Sequence, residues 1–365
     1  MKVLQIINSL NTGGAEKLLL ETIPLYNKRG IKVDLLVLDG KNYPFLKELK
    51  KKQCCTIYSL DKSTVYNPLL LFKIFPYFRR YDVIHVHLFP SLYWVALAKL
   101  ISFAKIKLIY TEHCTENRRI NNLILKTIDK KVYSFYERIV CLNEEVKRMV
   151  INQSKLPFEK LQIIENGVNL SIIKEALPLK KNQVVSSLTN RDTVLIQVAG
   201  FRTQKDQMTL IKAMVFLPQD VKLILVGDGL LREQCEILTK DLKLETRVFF
   251  LGIRTDVPQL LKTVDIVVLS TKYEGLSLSS IEGMASGKPF VASDVPGLSE
   301  IVKDAGILFE QGNEKMLATV IKELINDKKK YTEVATKCQE RAEQYDISYM
   351  VDNHINLYKE LYQNN

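Results

Sequence analysis

The sequence predicts an α/β protein of two domains, each built on a parallel β-sheet. Short apolar runs rich in β-branched residues alternate with longer helix-like stretches along the 365 residues. These runs are apolar almost without interruption, which is typical of strands that helices cover on both faces of a sheet. The alternation starts afresh near Thr193, which indicates a second domain.

Seven strands are expected in the first half and six in the second. The first set is KVLQII, KVDLLVL, TIYSL, DVIHVH, KLIYT, RIVCL and LQIIEN. The second set is TVLIQVAG, VKLILVGDG, RVFFLG, DIVVLS, KPFVAS and AGILF. Ser171–Asp192 is polar and shows no sustained period, so we expect it to connect the two domains. Beyond about Glu310 the pattern is helical and charged.

Composition points to a cytoplasmic globular protein. Hydrophobic residues make up 47% and charged residues 25%, as is ordinary for soluble domains. The N-terminal MKVLQIINSL resembles a buried strand more than a secretory signal, and no apolar run is long enough to span a membrane. The six cysteines lack metal-ligand spacing, so we expect reduced thiols.

The net charge of +11 is concentrated in the N-terminal half. Residues 1–165 carry 27 Lys plus Arg against 15 Asp plus Glu, whereas residues 166–365 carry 25 against 26. A basic half suits an anionic partner such as a membrane surface, a phosphorylated acceptor or nucleic acid. No recognition motif supports nucleic acid. Lysines that serve only solubility are the alternative interpretation.

Two stretches of the basic half have two interpretations. Asn67–Arg80 mixes aromatic and basic residues, and Leu88–Ala104 is apolar apart from Lys99. Each lies where an α/β fold needs a helix packed on its sheet, so core helices are one interpretation. The second interpretation is a surface that docks on a membrane, since aromatic and basic residues together suit a membrane interface.

Residues suited to ligand binding follow the predicted strands. Gly13 and Gly14 follow the first strand and precede a helix, where close backbone approach and free N–H groups suit an anion, although a simple tight turn is equally compatible. Arg202 and Lys205 open a later helix and could neutralise a leaving diphosphate. As an alternative, the two cations are simply solvated.

Two further features follow later strands. Gly227 and Gly229 form a compact turn that lacks the third glycine of a dinucleotide fingerprint. Glu274 and Glu282 have seven residues between them; in one helix they would lie about 12 Å apart along the axis, too far for a hydrolase pair. We therefore expect one acid at each end of one ligand, with solvated glutamates as the alternative.

The sequence predicts two structural histidines and one functional histidine. His85 and His87 share one face of a strand, but no third metal ligand follows at a recognisable spacing, so we interpret both as structural. His113 follows a strand at its carboxyl end and is the better functional candidate. The sequence contains no Asp-x-Asp motif, so we expect no metal and no other cofactor.

Taken together, the ordered motifs resemble the family 4 retaining glycosyltransferases. Each is weak alone, but the series runs almost from end to end. It comprises GGAEK, DVIHVH, His113, Asn166-Gly-Val-Asn169, Gly200-Phe-Arg202 with Lys205, Gly227-Asp-Gly229, Phe250-Leu-Gly252 with Asp256-Val-Pro258, and Glu274 to Glu282 continuing into Met284-Ala-Ser-Gly-Lys-Pro289.

The resemblance implies the GT-B fold, in which two facing Rossmann-like domains with parallel sheets enclose an interdomain cleft. Residues 1–168 with a C-terminal helix at 346–365 would form the acceptor-side domain. Residues 169–345 would form the domain that binds the nucleotide-sugar donor. The resemblance also implies a retaining, metal-independent transfer.

The family pattern implies a role for each matching residue. Arg202 and Lys205 would bind the donor diphosphate, and Glu282 would bind the ribose. Glu274 and His113 would contact the transferred sugar. The predicted catalytic residues are His113, Glu274, Arg202 and Lys205. The remaining donor-binding candidates are Gly13, Gly14, Gly227, Gly229, Ile253, Arg254, Gly275, Leu276, Ser277 and Leu278. The family usually has Gly-Phe-Gly after the first glutamate, whereas Gly-Leu-Ser follows Glu274 here, which puts the donor sugar in doubt.

The implied partners are a UDP- or GDP-sugar donor and a glycan or polyprenyl-pyrophosphate-linked acceptor. Assembly of a bacterial surface polysaccharide would suit them, with the enzyme cytoplasmic or peripheral on the inner membrane face. Two alternatives remain: a sugar-nucleotide epimerase of the same fold, and a non-catalytic subunit that binds sugar nucleotides.

Overall fold

The computed structural model describes residues 1–61, 64–113, 123–274 and 277–363. They divide into two compact units, Met1–Gly167 with Ile347–Asn365, and Val168–Asp346. Both units are α/β, and every strand pairing within the two sheets is parallel. The predicted α/β fold with two parallel sheets is therefore confirmed.

The sheet of the first unit has the order β3-β2-β1-β4-β5-β6-β7 among the described residues. Its strands are β1 Lys2–Ile7, β2 Lys32–Asp39, β3 Ile57–Asp61, β4 Val83–His87, β5 Lys107–Glu112, β6 Arg138–Cys141 and β7 Leu161–Ile163. Its helices are α1 Gly14–Lys28, α2 Pro44–Lys52, α3 Leu70–Ile74, α4 Ser91–Ser102, α5 Leu123–Ser134 and α6 Glu144–Ser154. Short 3-10 turns lie at Phe75–Arg79 and Phe158–Lys160.

The sheet of the second unit has the order β10-β9-β8-β11-β12-β13. Its strands are β8 Thr193–Val198, β9 Val221–Val226, β10 Val248–Gly252, β11 Ile266–Leu269, β12 Phe290–Asp294 and β13 Ile307–Glu310. Its helices are α7 Leu170–Glu175, α8 Lys181–Val184, α9 Gln207–Ala213, α10 Arg232–Asp241, α11 Val257–Thr263, α12 Leu278–Ala285, α13 Ser299–Val302, α14 Glu314–Asn326 and α15 Lys328–Glu343. A 3-10 turn lies at Met214–Phe216.

The last helix, α16 Ile347–Gln363, returns to the first unit. Its buried residues recur every three or four positions, as an amphipathic helix on a core requires; they include Ile347, Val351, His354, Tyr358 and Leu361. The helix packs against α1 and β4. It therefore brings His354 and Tyr358 to the centre of a unit whose other residues come from the first half of the chain.

The expectation that Ser171–Asp192 connects the two domains is wrong, because the whole stretch lies inside the second unit. Most of α7 and all of α8 fall in this stretch, and Ile173, Val184 and Leu188 are buried in the core of the second unit. The helices are only six and four residues long, so their apolar positions are too few to show a period. Burial of these residues in the core of the second unit stabilises the two helices instead.

Candidate functional site

The predicted site residues of the second unit lie at one edge of its sheet. Strands β8, β9 and β10 follow one another in one direction, and β11 lies on the other side of β8. The direction of winding therefore reverses between β8 and β11. In open α/β sheets ligands bind at such a switch point, beyond the carboxyl ends of the strands.

Backbone hydrogen bonds fix the segment that follows β8. Phe201 N–H donates to the Asp228 carbonyl at 3.0 Å, which joins this segment to the loop after β9. On the other side, Asp206 N–H donates to the Ser270 carbonyl at 3.0 Å, and Lys272 N–H to the Gln204 carbonyl at 2.8 Å. The segment is thus held between its two neighbours, so the side chains it carries are placed by the sheet itself.

This arrangement brings Lys205 and Glu274 together. The Lys205 ammonium donates to Glu274 Oε1 in an ion pair whose side chains are only 13% and 6% exposed. A buried carboxylate left without its cation would be costly, so each charge stabilises the other. Sequence reasoning selected both residues but did not foresee that they pair with each other.

Arg202 has a different environment from Lys205. Its side chain is exposed, and its guanidinium forms no ion pair with any residue that the structure describes. The alternative of two solvated cations therefore holds only for Arg202 in this structure. An exposed guanidinium at a strand edge is available to a phosphate as a bidentate donor.

Glu282 lies on α12, but Glu274 does not. The helix begins at Leu278 with Ser277 before it, so the two acids are not separated by a continuous helix, and the 12 Å helical spacing does not apply. Glu274 is 9% and Glu282 6% exposed, which makes the alternative of solvated glutamates wrong. Gly275 and Leu276, also predicted to bind the donor, lie outside the described residues.

Two glycines after β9 are required by close backbone packing. Gly227 has φ +135°, and a Cβ placed there would lie 2.1 Å from the Ala199 carbonyl oxygen. Gly229 has φ +150°, and its Cβ would lie 2.5 Å from the Phe201 carbonyl oxygen. Both glycines therefore let the loop after β9 approach the segment after β8.

Ile253 and Arg254 follow β10 at the same edge. Ile253 is 58% exposed, and Arg254 forms a bidentate ion pair with Asp256 at 2.7 and 2.6 Å. The Arg254 guanidinium lowers the pKa of Asp256 through these hydrogen bonds. The pair fixes the turn before α11 and leaves the Ile253 side chain open to a ligand.

In the first unit, the switch point lies between β1 and β4. The Asn8 side chain joins the loops after these strands, because its amide donates to the Phe89 carbonyl at 2.7 Å and its oxygen accepts from the Ser91 hydroxyl at 2.7 Å. Gly13 is the N-cap of α1, which starts at Gly14. A Cβ on Gly14 would meet no atom within 4 Å, so nothing inside the described protein requires glycine there.

The histidines form a cluster at this edge. His113 lies directly after β5, is half-buried, and has its Nε2 3.0 Å from Nδ1 of His87. Burial lowers the pKa of His113 to about 4, so its ring is neutral at pH 7. The pKa values of His85 and His87 are also lowered, mainly by burial.

The ring nitrogens of His85 and His87 all take part in hydrogen bonds to protein groups. Among the described residues, no group of three or more His, Cys, Asp or Glu side chains could hold a metal ion. The structural interpretation of this histidine pair agrees with these contacts. The family resemblance placed a C-terminal helix in the first domain, but nothing in the sequence indicated that His354 on that helix contacts His85.

The two stretches with alternative interpretations are helices packed on the core of the first unit. Leu70, Ile74, Leu92 and Val95 are buried, yet the outer faces expose apolar residues; these include Leu69 at 60%, Phe72 at 55% and Phe103 at 88%. Within the part of the chain that the structure covers, no helix is both long and apolar enough to span a membrane.

These features together define a class of protein: a two-domain GT-B glycosyltransferase. Residues 12–172 match the family model described as Glycosyltransferase Family 4, and residues 180–345 match that of Glycosyl transferases group 1. The chain belongs to the family 4 glycosyltransferases.

Three relatives illustrate the similarity. The chain is 28% identical over 296 residues to the N-acetyl-alpha-D-glucosaminyl L-malate synthase of Bacillus anthracis, covering 76% of this chain and 74% of the relative. It is 30% identical over 263 residues to the uncharacterized glycosyltransferase MJ1607 of Methanocaldococcus jannaschii, covering 68% and 67%. It is 24% identical over 359 residues to the N-acetylgalactosamine-N,N'-diacetylbacillosaminyl-diphospho-undecaprenol 4-alpha-N-acetylgalactosaminyltransferase of Campylobacter jejuni, covering 93% and 94%.

A solved structure extends the similarity over the whole fold. The crystal structure of Anabaena Alr3699/HepE in complex with UDP superposes with a TM-score of 0.81 at 25% identity, covering 99% of this chain and 100% of that chain.

Proposed function

We propose that this protein is a retaining glycosyltransferase that takes a sugar from a nucleotide-diphosphate donor and passes it to a lipid-linked or glycan acceptor. The observation that carries the proposal is the carboxyl edge of the second sheet. Two cations, Arg202 and Lys205, follow β8 there, the buried Glu274 follows β11 and pairs with Lys205, and the buried Glu282 lies on α12, the next helix. A diphosphate flanked by a ribose and a sugar has complementary chemistry.

Each residue of the second unit has a separate task in this proposal. Arg202 and Lys205 neutralise the charge that develops as the diphosphate leaves, so no metal ion is required. Glu282 accepts hydrogen bonds from the ribose hydroxyls and Glu274 from the transferred sugar. The backbone at Ile253 frames the base. Glu274 forms an ion pair with Lys205, so the phosphate competes with that carboxylate.

The first unit supplies Gly14 and His113. The N-terminus of α1, a helix of 15 residues, suits a phosphate or a sugar oxygen that approaches Gly14 closely. His113 contacts the transferred sugar. The acceptor hydroxyl attacks the face that the diphosphate leaves and gives its proton to the departing phosphate oxygen, which retains the configuration without a covalent intermediate.

The acceptor proposal has two supports. One relative is named for an acceptor linked to diphospho-undecaprenol, and the half of the chain before residue 166 carries the excess of basic residues. Helices α3 and α4 pack on each other, and Phe72 on α3 is exposed together with Leu69 and Phe103, which flank the two helices. We therefore propose assembly of a bacterial surface polysaccharide, with this face of the protein resting on an anionic membrane.

The test of the reaction is the acceptor dependence of nucleotide release. The protein is incubated with UDP-, GDP- and ADP-sugars, with and without a polyprenyl-pyrophosphate glycan. We expect one donor to release its nucleoside diphosphate only with the acceptor, in EDTA as well as in Mg²⁺, and to give an α-linked product from an α-linked donor. Conversion of the donor without an acceptor would indicate an epimerase, and binding without turnover a non-catalytic subunit.

Gly14 offers a clean variant for the first unit. Outside its chain neighbours and its own helix backbone, no atom of the described residues lies within 4 Å of an added Cβ. Gly14→Ala should therefore fold with unchanged stability yet lower kcat/KM by about tenfold, the cost of keeping one hydrogen-bonded ligand group away. Lys28→Ala, at the exposed far end of the same helix, is the control for a substitution in α1 away from the site. Unchanged transfer in Gly14→Ala would remove this loop from the proposal.

Membrane binding is tested separately by co-sedimentation with vesicles. We expect binding to vesicles rich in phosphatidylglycerol at low salt, little binding to phosphatidylcholine vesicles, and loss of binding in the double variant Phe72→Ser, Phe103→Ser. Equal recovery of the wild type with neutral and anionic vesicles would contradict the membrane proposal and leave the transfer chemistry untouched.

A further inference from the structure

All four histidines of the chain lie in one cluster of the first unit. The ring centroids of His85 and His87 are 4.3 Å apart, those of His87 and His113 5.3 Å, and those of His85 and His354 5.3 Å. Strand β4 supplies the first pair, the end of β5 supplies His113, and α16 supplies His354. The cluster therefore connects a proposed sugar-binding residue with the C-terminal helix.

A chain of hydrogen bonds leads inward from His113. Its Nε2 lies 3.0 Å from Nδ1 of His87, and Nε2 of His87 lies 2.7 Å from Oε1 of Gln5. The Gln5 amide nitrogen then donates to the Tyr358 hydroxyl at 3.0 Å. Among the described residues, this is the single hydrogen-bonded route from the His113 ring into the core.

The chain continues beyond Tyr358 and returns through His85 on β4 to Thr111 on β5. The Tyr358 hydroxyl lies 2.7 Å from Nδ1 of His85, and Nε2 of His85 lies 2.7 Å from the Thr111 hydroxyl. Because Tyr358 accepts from Gln5, its own proton is available to His85. Burial raises the pKa of Tyr358, so the hydroxyl keeps that proton.

The amide of Gln5 determines where the protons lie. Its oxygen can only accept, so Nε2 of His87 must be the donor. A neutral imidazole carries one ring proton, so Nδ1 of His87 is an acceptor, and Nε2 of His113 must donate to it. The lowered pKa values of both histidines agree with neutral rings. Neutral His113 is then left with a lone pair on Nδ1.

We propose that Gln5 and Tyr358, acting through His87, are positioning residues that hold His113 with its proton on Nε2, so that Nδ1 accepts a hydrogen bond from a hydroxyl of the bound saccharide. The identity of that ligand rests on the proposed function, whereas the protonation pattern does not. In this state His113 is a neutral acceptor and not a source of positive charge for the diphosphate.

The protonation pattern can be observed directly, because labelling with ¹⁵N-histidine marks only four rings. Long-range ¹H–¹⁵N spectra distinguish the two neutral forms from the imidazolium, and single substitutions at each histidine assign the rings. At pH 7 we expect His85, His87 and His113 all to carry the proton on Nε2. A His113 ring that is protonated on Nδ1, or on both nitrogens, would overturn the inference.

Tyr358→Phe tests the positioning role, with Tyr26→Phe as the matched control. Both tyrosines are buried beside the cluster and the Tyr26 hydroxyl contacts Tyr358, but only Tyr358 is a link between Gln5 and His85. In Tyr358→Phe the Gln5 amide loses its acceptor and can turn, so we expect a mixture of His113 forms. We expect kcat to fall about tenfold, the worth of one neutral hydrogen bond, with donor affinity unchanged.

The two readouts separate this inference from the proposed function. Tyr26→Phe should retain both the wild-type spectrum and the wild-type rate. A wild-type His113 spectrum and rate in Tyr358→Phe would contradict the positioning role. If no sugar transfer occurs in the wild type, the proposed function fails, while the spectra still decide where the proton of His113 lies.

Discussion

His354 should make the first unit sensitive to acid. The residue is 3% exposed, and within the described residues neither ring nitrogen has a hydrogen-bond partner of ordinary geometry. The nearby Met350 carbonyl favours the protonated form, but burial has the larger effect and lowers the pKa of His354 to about 4. Since an unfolded histidine titrates near pH 6.5, the unfolded chain binds the proton first as the pH falls.

The size of the effect follows from the two pKa values. A folded pKa of about 4 against an unfolded pKa of about 6.5 gives a contribution to stability that is present above pH 6.5 and is lost as the pH falls towards 4. Complete loss amounts to about 3 kcal/mol, and the part lost between pH 7 and pH 5 is about 2 kcal/mol. Replacing His354 should remove this part of the pH dependence.

His354→Phe is the variant of choice because the ring already lies among aromatic rings. Its centroid is 6.1 Å from that of Tyr358 in a stacked arrangement and 6.3 Å from that of Tyr26. The phenyl ring also removes two buried nitrogens, so we expect about 1 kcal/mol of added stability at pH 7. His354→Gln is the companion variant, because it keeps a polar group but does not titrate.

The assay is urea unfolding followed by tryptophan fluorescence. The single tryptophan of the chain, Trp94, lies on α4, packs on the core of the first unit and donates to the Val65 carbonyl at 2.8 Å. It therefore reports the unit that contains His354. Between pH 7 and pH 5 the free energy of unfolding should fall about 2 kcal/mol less in both variants than in the wild type. Parallel pH profiles would refute the assignment.

Three further predictions concern the second unit. Lys205→Ala and Glu282→Ala should each lower the rate of transfer at least tenfold, or about 1.4 kcal/mol, when the donor is limiting. The control, Lys222→Ala near the start of β9, should keep the wild-type rate. Wild-type rates in Lys205→Ala and Glu282→Ala would count against these roles. Glu274→Gln should bind the nucleoside diphosphate alone more strongly, because a carboxylate no longer pairs with Lys205, and should transfer the sugar more slowly. Weaker binding of the nucleoside diphosphate, measured by calorimetry, would contradict this. Gly227→Ala should destabilise the second unit by at least about 1–3 kcal/mol in hydrogen exchange, and unchanged protection would show that the backbone contact with Ala199 is dispensable.

The fold was predictable because strand signals are local. Strands β8 and β11, for example, are short runs of mostly buried and mostly apolar residues, and the sequence displays such runs directly. The stretch from Ser171 to Asp192 was misjudged for the complementary reason. Its helices are too short to show a period, and packing in the core of the second unit stabilises them.

The candidate site was predictable as a set of residues but not as a set of contacts. Arg202, Lys205 and Glu274 stand out as charges after strands, yet the pairing of Lys205 with Glu274 depends on hydrogen bonds between two loops about 70 positions apart in sequence. Tyr358 carries no local signal of a site at all. Its contact with Gln5 joins residues 353 positions apart, which no spacing rule reveals.

The central claim is that protein cations at the switch point of the second sheet bind the donor diphosphate. Isothermal titration of UDP, GDP and ADP in the presence of EDTA tests it most directly, with the wild type and Lys205→Ala compared side by side. The account predicts that one nucleoside diphosphate binds the wild type without a metal ion and binds Lys205→Ala at least about tenfold more weakly. Binding that requires Mg²⁺, or equal affinity of the two proteins, would contradict it.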